Sequence, residues 1–339
     1  MTTSETLTEA EIQRLIGKLQ NVTDEVGKVI VGQQDVLKLL LVSLLAGGHC
    51  MLEGVPGLAK TLMVSSLANA LELDFKRVQF TPDLMPSDII GTEILETDHD
   101  SGDRFFKFQQ GPVFTQILLA DEINRTPPKT QAALLEAMQE RQVSYAGEHY
   151  NLPAPFFVLA TQNPVEQAGT YPLPEAQLDR FLMFVHVDYP SESEEIEILK
   201  RTTGNQKADL SAQLTADDLI ALQSIVRHVD ISDALLHYVT ALTRQTRPQD
   251  SSVSIVEQYV RWGAGPRCGQ ALVLCAKAHA ILDNRYAVTI ADIHAVADPV
   301  LRHRLLLNFK AEAQQVTVDK VVAALIAEVA QPASPLTNS

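Results

Sequence analysis

The sequence predicts an α/β domain with a parallel sheet, followed by a smaller helical domain. Over residues 1–190, short and continuously apolar segments alternate with segments of helical periodicity. This alternation is typical of a parallel sheet covered by helices on both faces. From about Ser191 onward, helical periodicity continues and strand signals become weak. We therefore assign residues 1–190 to the α/β domain and residues 191–339 to the helical domain, with a frayed C-terminal tail.

The composition favours a globular protein with an acidic surface. Of 339 residues 46% are apolar, and 27 Lys and Arg against 42 Asp and Glu give a net charge of −15. Such a surface repels nucleic acid and anionic membranes unless basic residues cluster. The N-terminus is unlike a signal peptide, and the longest apolar stretch is too short to span a bilayer. We expect a cytoplasmic protein with no nucleic-acid partner and no integral membrane segment.

The elements follow from local patterns. Two helices open the chain, and the second is closed by Gly47 and Gly48. Further helices follow in KTLMVSSLANALEL and PPKTQAALLEAMQER, where prolines begin the second one. Strands are predicted in HCMLEG, DFKRVQF, TQILLADEIN, APFFVLATQNP and RFLMFVHV. In the second domain Ser191 and Glu194 predict a capping box at the start of the first helix.

The segment LEGVPGLAKT, residues 52–61, resembles a phosphate-binding loop of the pattern G-x-x-x-x-G-K-[ST]. Gly54, Lys60 and Thr61 fit, and Ala59 replaces the second glycine. A strand precedes the loop and a helix follows it, which is the context that phosphate binding requires. We expect Lys60 to reach the β- and γ-phosphates and Thr61 to hold magnesium. The structural alternative is an ordinary Gly/Pro turn.

Gly57 and Ala59 in this loop are expected to have different backbone conformations. Gly57 is expected to take a backbone conformation that side chains disfavour. Ala59 is expected at the start of the helix, where a helical φ suits alanine.

Polar residues also end the next strands of the predicted sheet. Asp121 and Glu122 follow the apolar run ILLA, and acids there fit magnesium binding and general base catalysis, respectively. Thr161, Gln162 and Asn163 end the following strand, where an amide could position the attacking water. The alternatives are acids that merely end a strand and an Asn-Pro turn.

Arg180 lies just before the last strand, in LPEAQLDRF. A guanidinium suits the charge that spreads over a transferring phosphoryl group. The alternative is a surface arginine paired with Asp179.

Together these segments resemble the MoxR family of AAA+ ATPases. The match includes VIVGQQ, LEGVPGLAKT, QFTPDLMPSDIIG, GPVF, ILLADEINR, QAALLEAMQERQV, FFVLATQNP, YPLPEAQLDRF and GAGPR. It implies an AAA+ αβα sandwich with an all-α lid. It also implies a homo-oligomeric ring, usually a hexamer, with ATP and magnesium between subunits. Ala59 is usual in that family.

The resemblance also implies residue roles. It places Lys60 and Thr61 in Walker A, Asp121 and Glu122 in Walker B, Asn163 as sensor 1 and Arg180 as arginine finger. Arg267 matches sensor 2, with a capping arginine as the alternative, and Arg125 lies near the interface. The implied nucleotide contacts are Gly54, Val55, Pro56, Gly57, Leu58, Ala59, Lys60, Thr61, Leu62 and Asp121, with Ile30, Val31 and Gly32 near the adenine.

Two predicted hairpins complete the resemblance. One surrounds DHDSGD before the Asp121 strand, and the other turns at AGE. In the helix-2-insert clade such hairpins lie at the pore or face of the ring, where they would engage a client. The alternative is an edge hairpin without function.

The function that the resemblance implies is ATP-driven, chaperone-like remodelling or maturation of a client protein, in the form of metal insertion or complex assembly. A von Willebrand factor A domain protein is the expected partner. The alternatives are a magnesium-chelatase-type ATPase subunit and a nucleotide-gated scaffold without turnover. A DNA-acting motor is disfavoured by the acidic charge and by the absence of a GAFTGA loop.

Overall fold

The computed structural model describes residues 8–97, 103–165, 169–204 and 209–332. Its centre is a five-stranded parallel sheet of order β2-β5-β8-β1-β9. The strands are β1 (Cys50–Glu53), β2 (Phe75–Gln79), β5 (Ile117–Asp121), β8 (Phe157–Gln162) and β9 (Met183–His186). β8 lies between β5 and β1, so the ends of these three strands share one edge of the sheet.

Helices cover both faces of this sheet. They are α1 (Glu9–Gly27), α2 (Gln34–Leu45), α3 (Lys60–Ala70), α4 (Pro86–Ile90), α5 (Pro128–Glu140) and α6 (Glu175–Leu178). Successive residues of β5 enter different cores: Ile117 and Leu119 pack with α1 to α3, whereas Leu118 and Ala120 pack with α5. Strand side chains alternate between faces, so the apolar run ILLA supplies both cores at once. The predicted αβα sandwich is confirmed.

The second half of the chain is helical. It contains α7 (Glu192–Thr202), α8 (Ala216–His228), α9 (Asp233–Gln245), α10 (Ser254–Tyr259), α11 (Pro266–Leu282), α12 (Ile290–Leu301), α13 (Phe309–Ala313) and α14 (Val318–Glu328). The predicted capping box is present, because the Ser191 hydroxyl accepts the N–H of Glu194 and the Glu194 carboxylate accepts that of Ser191. The lid is not purely helical: β10 (Val260–Trp262) pairs antiparallel with β11 (Leu306–Leu307), and these strands are too short to give a sequence pattern.

One apolar core runs through both halves. Buried residues of α1, α2 and α3 belong to the same cluster as those of α8, α9, α11 and α12. The bounds at residue 190 therefore divide segments that share a core, and they stay a prediction. The part of the expected frayed tail in residues 333–339 lies outside the described residues.

Both predicted hairpins are present. β3 (Gly91–Thr97) pairs antiparallel with β4 (Arg104–Gln110), and β6 (Gln142–Tyr145) with β7 (Glu148–Asn151). The second hairpin turns at Ala146 and Gly147, as predicted, and both have positive φ. Most of the DHDSGD segment, residues 98–102, is not described. The two hairpins touch through Phe108, whose ring stacks on Tyr150 at 4.4 Å between centroids.

Candidate nucleotide site at the carboxyl edge of the sheet

The predicted phosphate loop joins β1 to α3, which begins at Lys60. Gly54 permits close packing, since a Cβ there would lie 2.8 Å from the carbonyl oxygen of Val187. The Lys60 ammonium donates to the carbonyl of Gly54. Burial lowers the pKa of Lys60, while Asp121, Glu122 and Glu53 act to raise it. Lys60 therefore lies near the carboxylates at the ends of β1 and β5.

The backbone of the loop suits an anion. Among the described residues, no backbone or side-chain acceptor pairs with the N–H groups of residues 57–62. The first N–H groups of a helix lack partners within the helix, and together with its dipole they attract negative charge. The residues present thus fit the phosphates of a nucleotide.

Ala59 differs from the expectation. Its φ of 53° and ψ of 23° lie in the left-handed region, not in the right-handed helical region that was predicted. The helix starts only at Lys60, and the chain must first turn from the loop into the helix axis. Gly57 has a φ of 89°, as predicted for a position that side chains disfavour.

Asp121 ends β5 beside the loop and is held by two neighbours. The Thr161 hydroxyl donates to its Oδ1 (2.6 Å), and Arg77 donates from Nη2 (2.6 Å) and Nε (3.0 Å) to its Oδ2. The same hydroxyl accepts the N–H of Glu122 (2.8 Å). One side chain of β8, that of Thr161, therefore fixes the Asp121 carboxylate and the backbone of Glu122.

Glu122 lies in the left-handed region, with a φ of 57°. Its Oε2 accepts hydrogen bonds from Gln79 (2.8 Å) and Arg125 (2.9 Å). Arg125, which the sequence analysis placed near the interface, thus contacts the expected general base in its own chain.

Sequence analysis missed Arg77 and Gln79. They stand two residues apart on β2, so their side chains share one face of a strand that pairs with β5. That polar spacing in DFKRVQF was the available signal.

Asn163 follows β8 and is buried, and its Oδ1 accepts the N–H of Val165 (3.1 Å). β8 pairs with both β5 and β1, which is the adjacency that the proposed role of Asn163 requires. Its amide thus stands at the same edge as Lys60 and Glu122, in a turn before Pro164.

The predicted adenine segment, residues 30–32, leads into α2. Ile30 is buried in the core of the helices, so its side chain faces away from solvent. Gly32 has a φ of 69° and lines a cavity of about 710 Å³ beside the end of β9 and the end of α12. His186, also in the lining, is 3.0 Å from Glu53 at the start of the phosphate loop. The cavity is therefore lined by Gly32 of the predicted adenine segment and adjoins the end of β1 through the contact of His186 with Glu53.

Arg180 and Arg267 lie elsewhere. Arg180 precedes β9, and Leu182 beside it donates its N–H to the carbonyl of His49, which precedes β1. Arg180 and Arg267 line one cavity of about 200 Å³ together with His49. This is the amino edge of the sheet, opposite the phosphate loop. The structure thus divides the predicted catalytic set into two groups.

The alternative for Arg180, a pair with Asp179, is not found. Asp179 is 2.7 Å from Arg304 and 3.8 Å from Arg267. Within the described ranges, the Arg180 guanidinium has no hydrogen bond and no ion pair.

A cluster of His279, Asp283 and Asp292 brings possible metal-ligand atoms within 4.8 Å of one another in the lid. Arg285 donates to both acids of this cluster, at 2.6 Å to Asp292 and 3.1 Å to Asp283. The acids are thus already paired with a cation, and we assign the cluster to lid structure.

Known proteins match both parts of the chain. A family model described as the ATPase family associated with various cellular activities (AAA) matches residues 49–183, and an AAA lid domain model matches residues 252–325. The protein named Chaperone MoxR1 of Mycobacterium tuberculosis is 44% identical over 315 residues, which cover 93% of this chain and 82% of that protein. The chain belongs to the MoxR family of AAA+ ATPases.

Two more similarities agree. The protein named MoxR of Paracoccus denitrificans is 32% identical over 324 residues, with 90% of this chain and 94% of that protein covered. A crystal structure from Cytophaga hutchinsonii, of a protein provisionally named an ATPase, has a TM-score of 0.89 and 43% identity and covers 96% of this chain and 98% of its own. This MoxR-family chain is therefore an ATPase, and ATP is its nucleotide.

The left-handed Ala59 predicts that glycine stabilises this MoxR-family protein. A left-handed φ costs an L-residue about 1–2 kcal/mol, and the greater freedom of unfolded glycine offsets about 0.5–1 kcal/mol of the gain. Ala59→Gly should therefore raise the free energy of unfolding by about 0.5–1 kcal/mol. Urea denaturation of the nucleotide-free protein measures it.

The matched control is Ala323→Gly, at an exposed position inside α14. Glycine there should lower the free energy of unfolding by about 1 kcal/mol. If both variants lose stability equally, Ala59 is not in the left-handed region.

Proposed function

We propose that this ATPase works as a hexameric ring of identical subunits, in which each nucleotide site is completed by the neighbouring subunit. The proposal rests on the separation in space between Arg180 and Arg267, at the amino edge of the sheet, and the phosphate loop at the carboxyl edge. β1 has four residues, so the sheet separates the two edges by about 13 Å at 3.3 Å per residue. That is longer than an extended arginine side chain. Arg180 is therefore suited to a nucleotide on another copy.

Within one site, each residue has a distinct task. Lys60 and the N–H groups of residues 57–62 would hold the phosphates. Magnesium, bound by Thr61 and Asp121, would neutralise phosphate charge. Arg77 now occupies one oxygen of Asp121 and would have to yield to a magnesium-bound water.

Glu122 would accept the proton of the attacking water, and Asn163 would orient that water. At present, Gln79 and Arg125 engage the Glu122 carboxylate, so the base becomes available when they release it. From the neighbour, Arg180 and Arg267 would meet the charge that develops on the γ-phosphate.

For the client, we propose an exposed apolar surface on the first hairpin. Leu95 of β3 faces Phe106 of β4, and their side chains are 54% and 71% exposed. Such a patch on a projecting element suits protein contact. We propose that it holds the client, in a cytoplasmic chaperone-like cycle with a von Willebrand factor A domain partner. The name of Chaperone MoxR1 supports the chaperone class.

Glu122→Gln should retain ATP and lose turnover, because the amide keeps the size of the carboxylate but accepts no proton. Lys60→Ala should lose binding, because it removes the charge on the phosphates. Calorimetry with ATP in the Glu122→Gln protein, and phosphate release in both variants, test this. Turnover by Glu122→Gln at the unmodified rate would exclude Glu122 as the base.

Arg180→Ala should bind ATP normally and hydrolyse it about 10³- to 10⁵-fold more slowly. Mixed with Lys60→Ala subunits, it should regain part of the activity, because an intact Lys60 loop then meets an intact Arg180 on the neighbour. The phosphate-release rate is measured against the mixing ratio. No recovery in rings shown to be mixed would mean that Arg180 does not act between subunits.

Phe106→Ser, added to Glu122→Gln, should keep ATP binding and ring assembly but lose the partners that Glu122→Gln alone retains in ATP. Affinity capture with mass spectrometry compares the variants. The control is Phe309→Ser, which alters an 85% exposed phenylalanine of the lid. If Glu122→Gln captures the same partners alone, with Phe106→Ser and with Phe309→Ser, the hairpin does not bind the client.

A further inference from the structure

Asp179 is the residue immediately before Arg180, and it is the meeting point of two lid arginines. Its Oδ1 accepts a hydrogen bond from Nε of Arg304 at 2.7 Å, and its Oδ2 lies 3.8 Å from Nη1 of Arg267. Both arginines come from the second half of the chain. One carboxylate therefore ties the segment that carries Arg180 to the lid.

Arg304 grips that segment on both sides of Arg180. Besides its bond to Asp179, its guanidinium donates to the carbonyls of Phe181 (2.9 Å) and Leu182 (3.2 Å). His303 adds a contact of 3.0 Å to the carbonyl of Phe181. The segment is thus held before Arg180 by the Asp179 side chain and after it by two backbone carbonyls, while the Arg180 side chain itself is left without a partner in the described chain.

Arg304 is 9% exposed, so its charge is largely removed from water. A buried guanidinium needs its charge paired and its N–H groups accepted. Among the described acids, Asp179 is the one with which Arg304 forms an ion pair. Without that carboxylate the buried charge would be compensated only by carbonyl oxygens, and the segment would shift to reach water or another acceptor.

We propose that Asp179 is a positioning residue for the arginine finger. Its bond to Arg304 fixes the segment that carries Arg180, and its ion pair fixes Arg267, in the geometry that the neighbour's site needs. This inference rests on the proposed action of Arg180 between subunits. Asp179 touches no reacting atom, and its effect is one of placement. Displacement of a catalytic group by about 1 Å costs on the order of 10²-fold in rate.

Asp179→Asn should lower kcat for ATP about 10- to 100-fold. Its KM and its own affinity for ATP should stay unchanged, because Lys60 and Glu122 lie at the other edge of the sheet. Unchanged affinity also shows that the variant is folded. Arg304→Lys is a second route to the same defect, since lysine keeps the charge but cannot bind Asp179 and both carbonyls at once. The control is Asp250→Asn, which breaks the exposed ion pair with Arg244 of the lid surface and should leave kcat unchanged.

Mixed rings give the readout that a purely structural role would not move. Asp179→Asn mixed with Lys60→Ala should recover activity as Arg180→Ala does, because the neighbour then supplies an intact Asp179 and Arg180. Recovery by both mixtures supports the inference. If only the Arg180→Ala mixture recovers, or if Asp179→Asn alone has the unmodified kcat, Asp179 does not position the finger. If neither mixture recovers, action between subunits fails and the inference fails with it.

Discussion

The strands of the central sheet all run in one direction, and the placement of the functional residues depends on this. Parallel strands present all their carboxyl ends at one edge, so the phosphate loop after β1, the acids after β5 and Asn163 after β8 are brought together. The same geometry sends whatever precedes β9 to the other edge. The parallel arrangement therefore places Asp121 at the phosphate loop of its own chain and Arg180 at the opposite edge of the sheet.

Two side chains, those of Thr161 and Asp179, stabilise the two edges of the sheet. Thr161 at the carboxyl edge bonds the Asp121 carboxylate and the backbone N–H of Glu122, so β8 holds the chain at the end of β5. Asp179 at the amino edge binds the lid through Arg304. Asp298 near the end of α12 and Arg302 just after it line the cavity beside Gly32, and Arg304 bonds Asp179, Phe181 and Leu182 around Arg180. The two edges are thus connected by residues 298–304 of the lid.

Much of the fold and half of the site could be predicted from sequence because the signals are local. The apolar run ILLA before Asp121, and the loop between a strand and a helix at Gly54, specify both element and edge. The left-handed conformation of Ala59 could not be predicted, because the sequence at the start of α3 does not indicate the turn that precedes Lys60. Arg77 and Gln79 were missed because they become site residues only through the pairing of β2 with β5. The bond from Arg304 to Asp179 spans 125 residues, and no pattern along the chain reports it.

The core that α1 and α2 share with the lid has a consequence for the order of folding. Lys18 reaches Asp218, Lys38 reaches Asp283 and Gln13 reaches Tyr286, over 200, 245 and 273 residues of chain. Contacts so distant form only after the intervening chain has been made and has collapsed, since closing long loops costs entropy before any contact rewards it. α1 and α2 are synthesised before the lid helices, so their contacts with the lid form only after the lid has been made. Until then their apolar faces are open to water and to other chains, as is common for growing polypeptides of this length.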